Sequence, residues 1–228
     1  MSLSPRSTST RDDAASTSTL SRVTPTVYVV DDDASVCQSL EMLIESAGWQ
    51  SETFASAVDF LASPRPLSPS CLVLDVWLPG LNGLDLQERI TADRVDMPII
   101  FITGCCEVPM AVRAMKSGAI EFLTKPFRCD VLMDAIEQGL ERSRTILGYE
   151  EEMRELRERY ESLSRREREV MALVVAGRLN KQIAAELSIS EITVKAHRGN
   201  MVRKMKARSL PHLVNLAASL DGDSPQKG

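Results

Sequence analysis

The chain has 228 residues, 43% of them hydrophobic and 26% charged, which is typical of a soluble globular protein with one or two domains. No apolar run approaches the roughly 18 residues that a membrane-spanning helix requires, so no such helix is predicted. The five cysteines show neither zinc-ligand nor redox-motif spacing, and no secretory signal precedes them. We therefore interpret them as reduced thiols of a cytoplasmic protein.

Charge is unevenly distributed along the chain. Residues 164–219 contain eleven Lys and Arg but four Asp and Glu, a local balance of +7. The whole chain carries −5, so the remainder carries −12. An acidic body with a basic end is typical of a protein that binds nucleic acid through that end.

Between residues 26 and 142, short apolar runs alternate with helical periodicities, which predicts five βα units. The predicted strands are 26–30, 49–54, 71–74, 98–103 and 119–123. The predicted helices are 36–47, 57–61, 84–90, 108–117 and 131–142. This alternation indicates a parallel sheet with helices on both faces. Disordered tails are predicted at 1–25, which has too few apolar residues to form a core, and at 221–228.

Residues 143–163 are strongly charged and are predicted to form a helical linker. Within them, apolar residues recur at alternating spacings of three and four, as at the a and d positions of a heptad repeat. These residues are Tyr149, Met153, Leu156, Tyr160 and Leu163. Two interpretations are open: a linker helix that packs on its own domain, or a short coiled coil that pairs two protomers.

Four short helices are predicted between residues 164 and 220, each marked by a capping residue. Ser164 and Glu167 form a capping box before helix 165–176, and Gly177 ends that helix. The caps of helices 181–187, 191–205 and 210–220 are Asn180, Ser190 and Ser209. The second and third helices are separated by three residues, and the third is basic. This arrangement is typical of an all-α helix-turn-helix domain with a basic recognition helix.

Polar residues follow four of the predicted strands, and the carboxyl ends of parallel strands meet at one edge of a sheet. These residues are Asp31 and Asp32, then Asp75, Thr103 and Lys125. Three carboxylates in one crevice repel each other unless a cation lies among them, and Mg²⁺ prefers oxygen ligands. A metal ion there would neutralise a phosphoryl group while one carboxylate attacks it. Asp33 is interpreted as the N-cap of the first helix rather than as a ligand.

The motifs that contain these residues resemble the receiver domains of two-component response regulators, in the FixJ branch of the FixJ/NarL family. They are Val29-Val-Asp31-Asp32-Asp33, Leu74-Asp75-Val-Trp-Leu-Pro79-Gly, Ile102-Thr103-Gly and Phe122-Leu-Thr-Lys125-Pro126-Phe127. The resemblance covers about residues 26–142 and implies a flavodoxin-like α/β receiver, with a five-stranded parallel sheet and helices on both faces.

The same resemblance implies a role for each residue. Asp75 would be the phosphoacceptor, and Thr103 and Lys125 would contact the phosphoryl group. Mg²⁺ would be held by Asp31, Asp32, Asp75 and the backbone carbonyl of Trp77. Phe122 stands where such receivers have an aromatic switch, and a cis peptide is expected between Lys125 and Pro126.

The C-terminal domain resembles the LuxR-type helix-turn-helix in motifs such as Leu163-Ser-Arg-Arg-Glu167-Arg-Glu169 and Thr193-Val194-Lys195-x-His197. The resemblance implies that helix 191–205 enters the major groove of DNA. The implied DNA-binding residues are Lys181, Thr193, Lys195, Ala196, Arg198, Gly199, Arg203 and Lys204. Ala196 and Gly199 replace larger or charged side chains of related regulators, which leaves base readout open at these two positions. His197 is interpreted as a packing residue, because it faces the same way as Val194 and Met201.

We therefore expect a phosphorylation-dependent transcriptional regulator rather than an enzyme that acts on an external substrate. A sensor histidine kinase would phosphorylate Asp75, and the chain would then dimerise and bind promoter DNA, with RNA polymerase as a further candidate partner. One alternative is a Mg²⁺-dependent phosphatase or phosphotransferase that uses Asp75 as its nucleophile. Another is a constitutive DNA-binding protein whose receiver serves only as a dimerisation scaffold.

Overall fold

The structure is a computed structural model that describes residues 24–105 and 107–222. The tails predicted at 1–25 and 221–228 lie outside the described residues, except for two residues of each. The chain divides into two compact units between Gly148 and Tyr149. No helix within the described ranges is both long enough and apolar enough to cross a membrane.

The first unit is built around a parallel sheet of five strands in the order β2-β1-β3-β4-β5. The strands are β1 Thr26–Val30, β2 Gln50–Phe54, β3 Ser70–Asp75, β4 Ile99–Thr103 and β5 Glu121–Thr124. The helices between them are α1 Ala34–Ser46, α2 Ala57–Ala62, α3 Gly83–Asp93 and α4 Val108–Lys116. This confirms the predicted flavodoxin-like receiver fold, with small shifts at the ends of elements.

Both faces of the sheet are covered by apolar side chains. One face packs residues such as Tyr28, Phe60 and Phe101, and the other packs residues such as Ile44 and Ile136. Every residue of β3 is buried, because this strand lies at the centre of the sheet with helices on both sides. The rigid sheet therefore fixes the positions at which β1, β3 and β4 end.

The helix predicted at 131–142 and the predicted linker belong to one helix, α5, which runs from Cys129 to Glu161. Ion pairs at helical spacing support its charged part, including Arg154 with Glu151 and Arg159 with Glu155, each at 2.6 Å. Gly148 lies within α5, which is continuous on both sides of it, so the glycine does not interrupt the helix.

The second unit contains the rest of α5 and four further helices. They are α6 Arg165–Val175, α7 Asn180–Leu187, α8 Glu191–Lys204 and α9 Leu210–Gly222. The capping box of Ser164 and Glu167 is present, and Ser190 and Ser209 accept the expected backbone hydrogen bonds. The predicted cap Asn180 is wrong: Asn180 is the first residue of α7, and its side-chain oxygen accepts a hydrogen bond from Arg198 instead.

The heptad residues of the linker pack inside the second unit. Met153, Leu156 and Leu163 are at most 5% exposed and share a core with residues of α6, α8 and α9. Tyr160 packs against the same core, and Tyr149 is 60% exposed. This favours the interpretation of a linker helix that packs on its own domain over a coiled coil that pairs two protomers, because the side chains at four of the five heptad positions, all but Tyr149, lie in or against the core of their own unit.

Candidate functional site

A lysine joins two of the predicted acidic residues at the carboxyl edge of the sheet. The ammonium group of Lys125 donates hydrogen bonds to Asp31 Oδ2 at 2.5 Å and to Asp75 Oδ2 at 2.7 Å. Oxygen atoms of Asp31, Asp32 and Asp75 all lie within 4.8 Å of one another. We call these three aspartates and Lys125 the acidic pocket. It forms because Asp31 follows β1, Asp75 ends β3, and Lys125 follows β5.

Burial makes the charges of the acidic pocket interdependent. Asp31 is 1% exposed and Asp75 is 6% exposed, whereas Asp32 is exposed. Burial raises the pKa of Asp31 above its ordinary value, although the hydrogen bond from Lys125 acts in the opposite direction. Burial also acts to lower the pKa of Lys125, but its hydrogen bonds to Asp31 and Asp75 outweigh this effect and leave that pKa raised. The lysine is therefore held in its charged form by the carboxylates.

Local backbone contacts fix the Asp31 side of the pocket. Asp33 accepts a hydrogen bond from the backbone N–H of Ser35 at 2.8 Å, which confirms its prediction as the N-cap of α1. The backbone N–H of Asp33 donates to Asp31 Oδ1 at 3.0 Å. The thiol of Cys37, a buried residue of α1, donates to the backbone oxygen of Asp31 at 3.3 Å. The start of α1 therefore holds Asp31 in place.

The loop after β3 is closed against the Asp75 backbone by Gly83. The N–H of Gly83 donates to the backbone oxygen of Val76 at 2.9 Å, and the N–H of Trp77 donates to Asp75 Oδ1 at 2.9 Å. A Cβ on residue 83 would lie 2.4 Å from the backbone oxygen of Asp75, so only glycine fits. Sequence reasoning missed Gly83, although a glycine three residues after Pro79-Gly80 was a signal of a tight loop.

Thr103 is the last residue of β4, and Phe122 lies within β5. The hydroxyl of Thr103, which is fully buried, donates to the backbone oxygen of Cys105 at 2.9 Å. Phe122 is half-buried, and its ring centroid is 5.9 Å from that of Phe101. The peptide bond between Lys125 and Pro126 is cis, as expected from the motif. The structure thus gathers Asp31, Asp32, Asp75 and Lys125, and engages the Thr103 hydroxyl elsewhere.

In the second unit, α7 and α8 are joined by a tight turn. Ser188 adopts a left-handed conformation with φ of 55°, and Ser190 then caps α8 through its hydroxyl. Val194 and Met201 of α8 are fully buried in the core of this unit, and His197 between them is half-buried. Each residue advances an α-helix by about 100°, so the opposite side of α8 faces away from the core.

The eight predicted DNA-binding residues differ in exposure. Lys181, Lys195, Ala196, Gly199 and Arg203 are exposed. The Thr193 hydroxyl lies 2.8 Å from that of Ser190, and Arg198 donates to Asn180 Oδ1 at 2.7 Å. Lys204 is half-buried, and its ammonium group donates to Glu167 Oε2 at 2.6 Å and to the backbone oxygen of Ser162 at 3.0 Å. Because Glu167 is buried, this hydrogen bond joins Lys204 to the interior of its own unit.

Comparison with known proteins assigns a family to each unit. Residues 27–137 match the model of the response regulator receiver domain, and residues 161–217 match the model of bacterial regulatory proteins of the luxR family. Over 194 residues the chain is 48% identical to Nodulation protein W of Bradyrhizobium diazoefficiens, covering 85% of this chain and 86% of that protein.

Two further relatives span nearly the same length. The transcriptional regulatory protein FixJ of Bradyrhizobium diazoefficiens is 43% identical over 191 residues, covering 84% of this chain and 93% of that protein. A low-resolution structure of the response regulator StyR matches with a TM-score of 0.80 at 49% identity, covering 86% of this chain and 99% of that one. The chain therefore belongs to the two-component response regulators of the FixJ/NarL family, and it is a phosphorylation-dependent transcriptional regulator with a receiver domain and a LuxR-type DNA-binding domain.

Proposed function

We propose that Asp75 is the residue that accepts the phosphoryl group, and that a sensor histidine kinase donates it. The observation that carries this proposal is the position of Lys125, whose ammonium group bonds to Asp75 Oδ2 at 2.7 Å and to Asp31 Oδ2 at 2.5 Å. A positive charge held beside a carboxylate at the open edge of a parallel sheet stabilises the negative charge of a transferred phosphoryl group.

The acidic pocket has the donor set of a Mg²⁺ site. One lysine offers a single positive charge to three carboxylates, and buried charges require compensation. Oxygen ligands with several water molecules are what Mg²⁺ prefers, and Asp31, Asp32, Asp75 and the backbone carbonyl of Trp77 would hold the ion. When bound, Mg²⁺ supplies neutralising charge to phosphoryl oxygens.

The chain's own residues act in sequence around Asp75. A carboxylate oxygen of Asp75 attacks phosphorus as the bond from the donor breaks, and Lys125 neutralises the oxygens of the new acyl phosphate. Thr103 must give up its hydrogen bond to the backbone oxygen of Cys105 before its hydroxyl can donate to the phosphoryl group. Phe122 packs only partly in the core, so its ring can move inward when Thr103 moves.

The output is proposed to be binding of the second unit to promoter DNA as part of a phosphorylation-induced homodimer. A two-fold dimer places two recognition helices on a roughly palindromic operator. We propose a cytoplasmic location, since promoter DNA and the kinase that would phosphorylate Asp75 are met there, and RNA polymerase as a further partner. Because the phosphoryl group is bound to Asp75 and then lost to water, the chain turns over no external substrate and is not an enzyme in that sense.

Incubation of the full chain with acetyl phosphate tests the acceptor assignment. Intact mass should show one added phosphoryl group in the presence of Mg²⁺, and none for Asp75→Asn or when Mg²⁺ is chelated. Asp33→Asn is the matched control, because Asn also caps helices and this residue is exposed at the edge of the site. Incorporation that survives Asp75→Asn would refute the assignment of the acceptor.

A DNA-binding measurement separates the switch from the scaffold alternative. Phosphorylated and unphosphorylated chains are compared for affinity to the same duplex DNA, and Asp75→Asn serves as the chain that cannot respond. We expect phosphorylation to tighten binding of the wild type only. Equal affinity in both states would favour a receiver that acts only as a scaffold.

A further inference from the structure

The side of α8 that faces away from the core carries an exposed isoleucine. Ile192 is the second residue of the helix, directly after Glu191 and the N-cap Ser190, and it is 80% exposed. The fully buried residues Val194 and Met201 mark the inner side of the helix. At about 100° per residue, Ile192 lies close to the opposite side. Its side chain contributes nothing to the core of its unit.

The residues that follow on this side of the helix are small. Ala196 and Gly199 come four and seven residues after Ile192, and both are exposed. No atom lies within 4 Å of the position that a Cβ on Gly199 would occupy. We call Ile192, Ala196, Gly199 and the exposed cation Arg203, which follows at the same spacing, the outer face of α8. Ile192 is the one large apolar side chain among these four.

A single exposed isoleucine on a protein surface needs no explanation by itself. This one lies in the first turn of the recognition helix, whose N-terminal residues are the ones that reach base edges in the major groove. The basic residues Lys195 and Lys181, both exposed, provide the positive charge that draws this part of the unit to phosphates. Among the four bases, only thymine presents a methyl group in the major groove.

We propose that Ile192 is a specificity-determining residue that packs against the methyl group of a thymine in the operator. The proposal rests on DNA binding by α8 and adds the base that this position reads. Small side chains at Ala196 and Gly199 let the helix approach the base pairs closely, so that the branched side chain of Ile192 excludes water from the thymine methyl group. The same contact favours thymine over cytosine and over uracil, because neither of these bases carries the methyl group.

The experiment uses duplexes selected from a random-sequence pool by the full-length wild-type chain treated with acetyl phosphate and Mg²⁺. In the selected consensus, each thymine is replaced in turn by deoxyuridine, which pairs identically and lacks only the methyl group. Affinities are then measured for wild type, Ile192→Ala, Ile192→Val and the control Leu210→Ala, which truncates a half-exposed side chain on α9. Far-UV circular dichroism verifies that all variants are folded.

For wild type, replacing the contacted thymine should weaken binding about fourfold, since one methyl group leaves the apolar contact. Ile192→Ala should bind more weakly, and its affinity should no longer depend on the thymine methyl group at that one position. Ile192→Val should keep the dependence on this methyl group, and Leu210→Ala should behave as wild type. The proposal is overturned if no thymine methyl matters to wild type, or if Ile192→Ala keeps the full dependence. A wild-type chain that binds no duplex at all would instead overturn DNA binding itself, and this proposal with it.

Discussion

The acidic pocket of the first unit and the outer face of α8 in the second unit present their side chains in opposite ways. Asp31 and Asp75 are almost completely buried and share Lys125 as a counter-charge, so each depends on the others. Ile192 and Arg203 are exposed, and truncating them removes nothing from the core. A substitution in the pocket therefore alters chemistry and stability together, whereas one on the outer face alters only the ligand that is recognised.

Removal of the shared lysine should give the largest effect. We expect Lys125→Met to slow phosphoryl incorporation from acetyl phosphate by about 10²–10³-fold, the range found when a positioned electrostatic group is removed. The measurement is the rate of incorporation by intact mass. Arg144→Met is the control, because Arg144 forms an exposed ion pair with Glu141 on α5. A rate for Lys125→Met within a fewfold of wild type would mean that the pocket does not depend on its lysine.

The second prediction tests whether Leu156 of α5 is buried in the core of its own unit rather than in a contact between two chains. Leu156→Ala should lower the free energy of unfolding of the second unit by about 2–5 kcal/mol, because it deletes a buried side chain. Calorimetry of the full chain at several protein concentrations gives the measurement. The loss should be the same at all concentrations; a loss that grows as the protein concentration is raised would instead restore the coiled-coil interpretation. Tyr149→Ala, at an exposed heptad position, should change little.

The third prediction concerns a buried charge pair in the second unit. Hydrogen bonds from Lys204, and then from the backbone of Ser164, hold the pKa of Glu167 below its ordinary value of 4.5. A lowered pKa in the folded state means that the ionised carboxylate stabilises the fold above about pH 4.5, and that this contribution is lost as pH falls through the folded pKa. At pH 7, Glu167→Gln should cost about 1–3 kcal/mol.

Differential scanning calorimetry from pH 7 to pH 3 gives the corresponding profile. The difference between wild type and Glu167→Gln should be constant above about pH 5 and should shrink below the ordinary pKa of Glu167. Glu169→Gln is the surface comparison: Glu169 pairs with the exposed Arg165 and Arg166, where solvent screens the charges, so its difference from wild type should be the smaller one throughout. A difference that does not change with pH would show that the charge of Glu167 is unimportant.

The fourth prediction has the smallest expected effect and distinguishes two lysines of α8, Lys195 and Lys204. Lys195→Ala should reduce the slope of log affinity against log salt by about 0.9, the value for one lost phosphate contact, with unfolding unchanged. Lys204→Ala should leave that slope unchanged and lower the stability, because Lys204 pairs with the buried Glu167. Equal changes of slope for both variants would contradict the distinction between exposed and paired cations.

The convergence of the acidic pocket was predictable because it follows mainly from the parallel arrangement of the strands. Once β1, β3 and β5 are recognised as parallel strands of one sheet, Asp31, Asp75 and Lys125 are expected at the same edge. The exact ends of the strands were harder to predict from the sequence. The fifth strand starts at Glu121 rather than 119, because the N–H of Ala119 still bonds to the oxygen of Ala114 at the end of α4.

Other features depend on partners distant in sequence. Lys204 is a basic residue of α8 and so matches the expectation for a DNA contact. Its ion-pair partner Glu167 lies 37 residues away in the sequence, so the pairing could not be recognised there. The heptad pattern shows that Met153 and Leu156 are buried and does not show what buries them. The need for glycine at position 83 could not be predicted, because it depends on the close approach of the Asp75 backbone in the folded chain. Sequence patterns therefore predicted the elements and their order, whereas pairing across the fold became visible only in three dimensions.

The path of α5 has a consequence for how such regulators exchange modules during evolution. The luxR-family match begins at residue 161, yet Met153 and Leu156 of α5 are part of the core beneath α6 and α8. A gene fusion that joined a new sensory module at residue 161 would delete these two side chains and leave a gap in that core. Productive recombination is therefore expected upstream of Met153, near Gly148, where the two units divide.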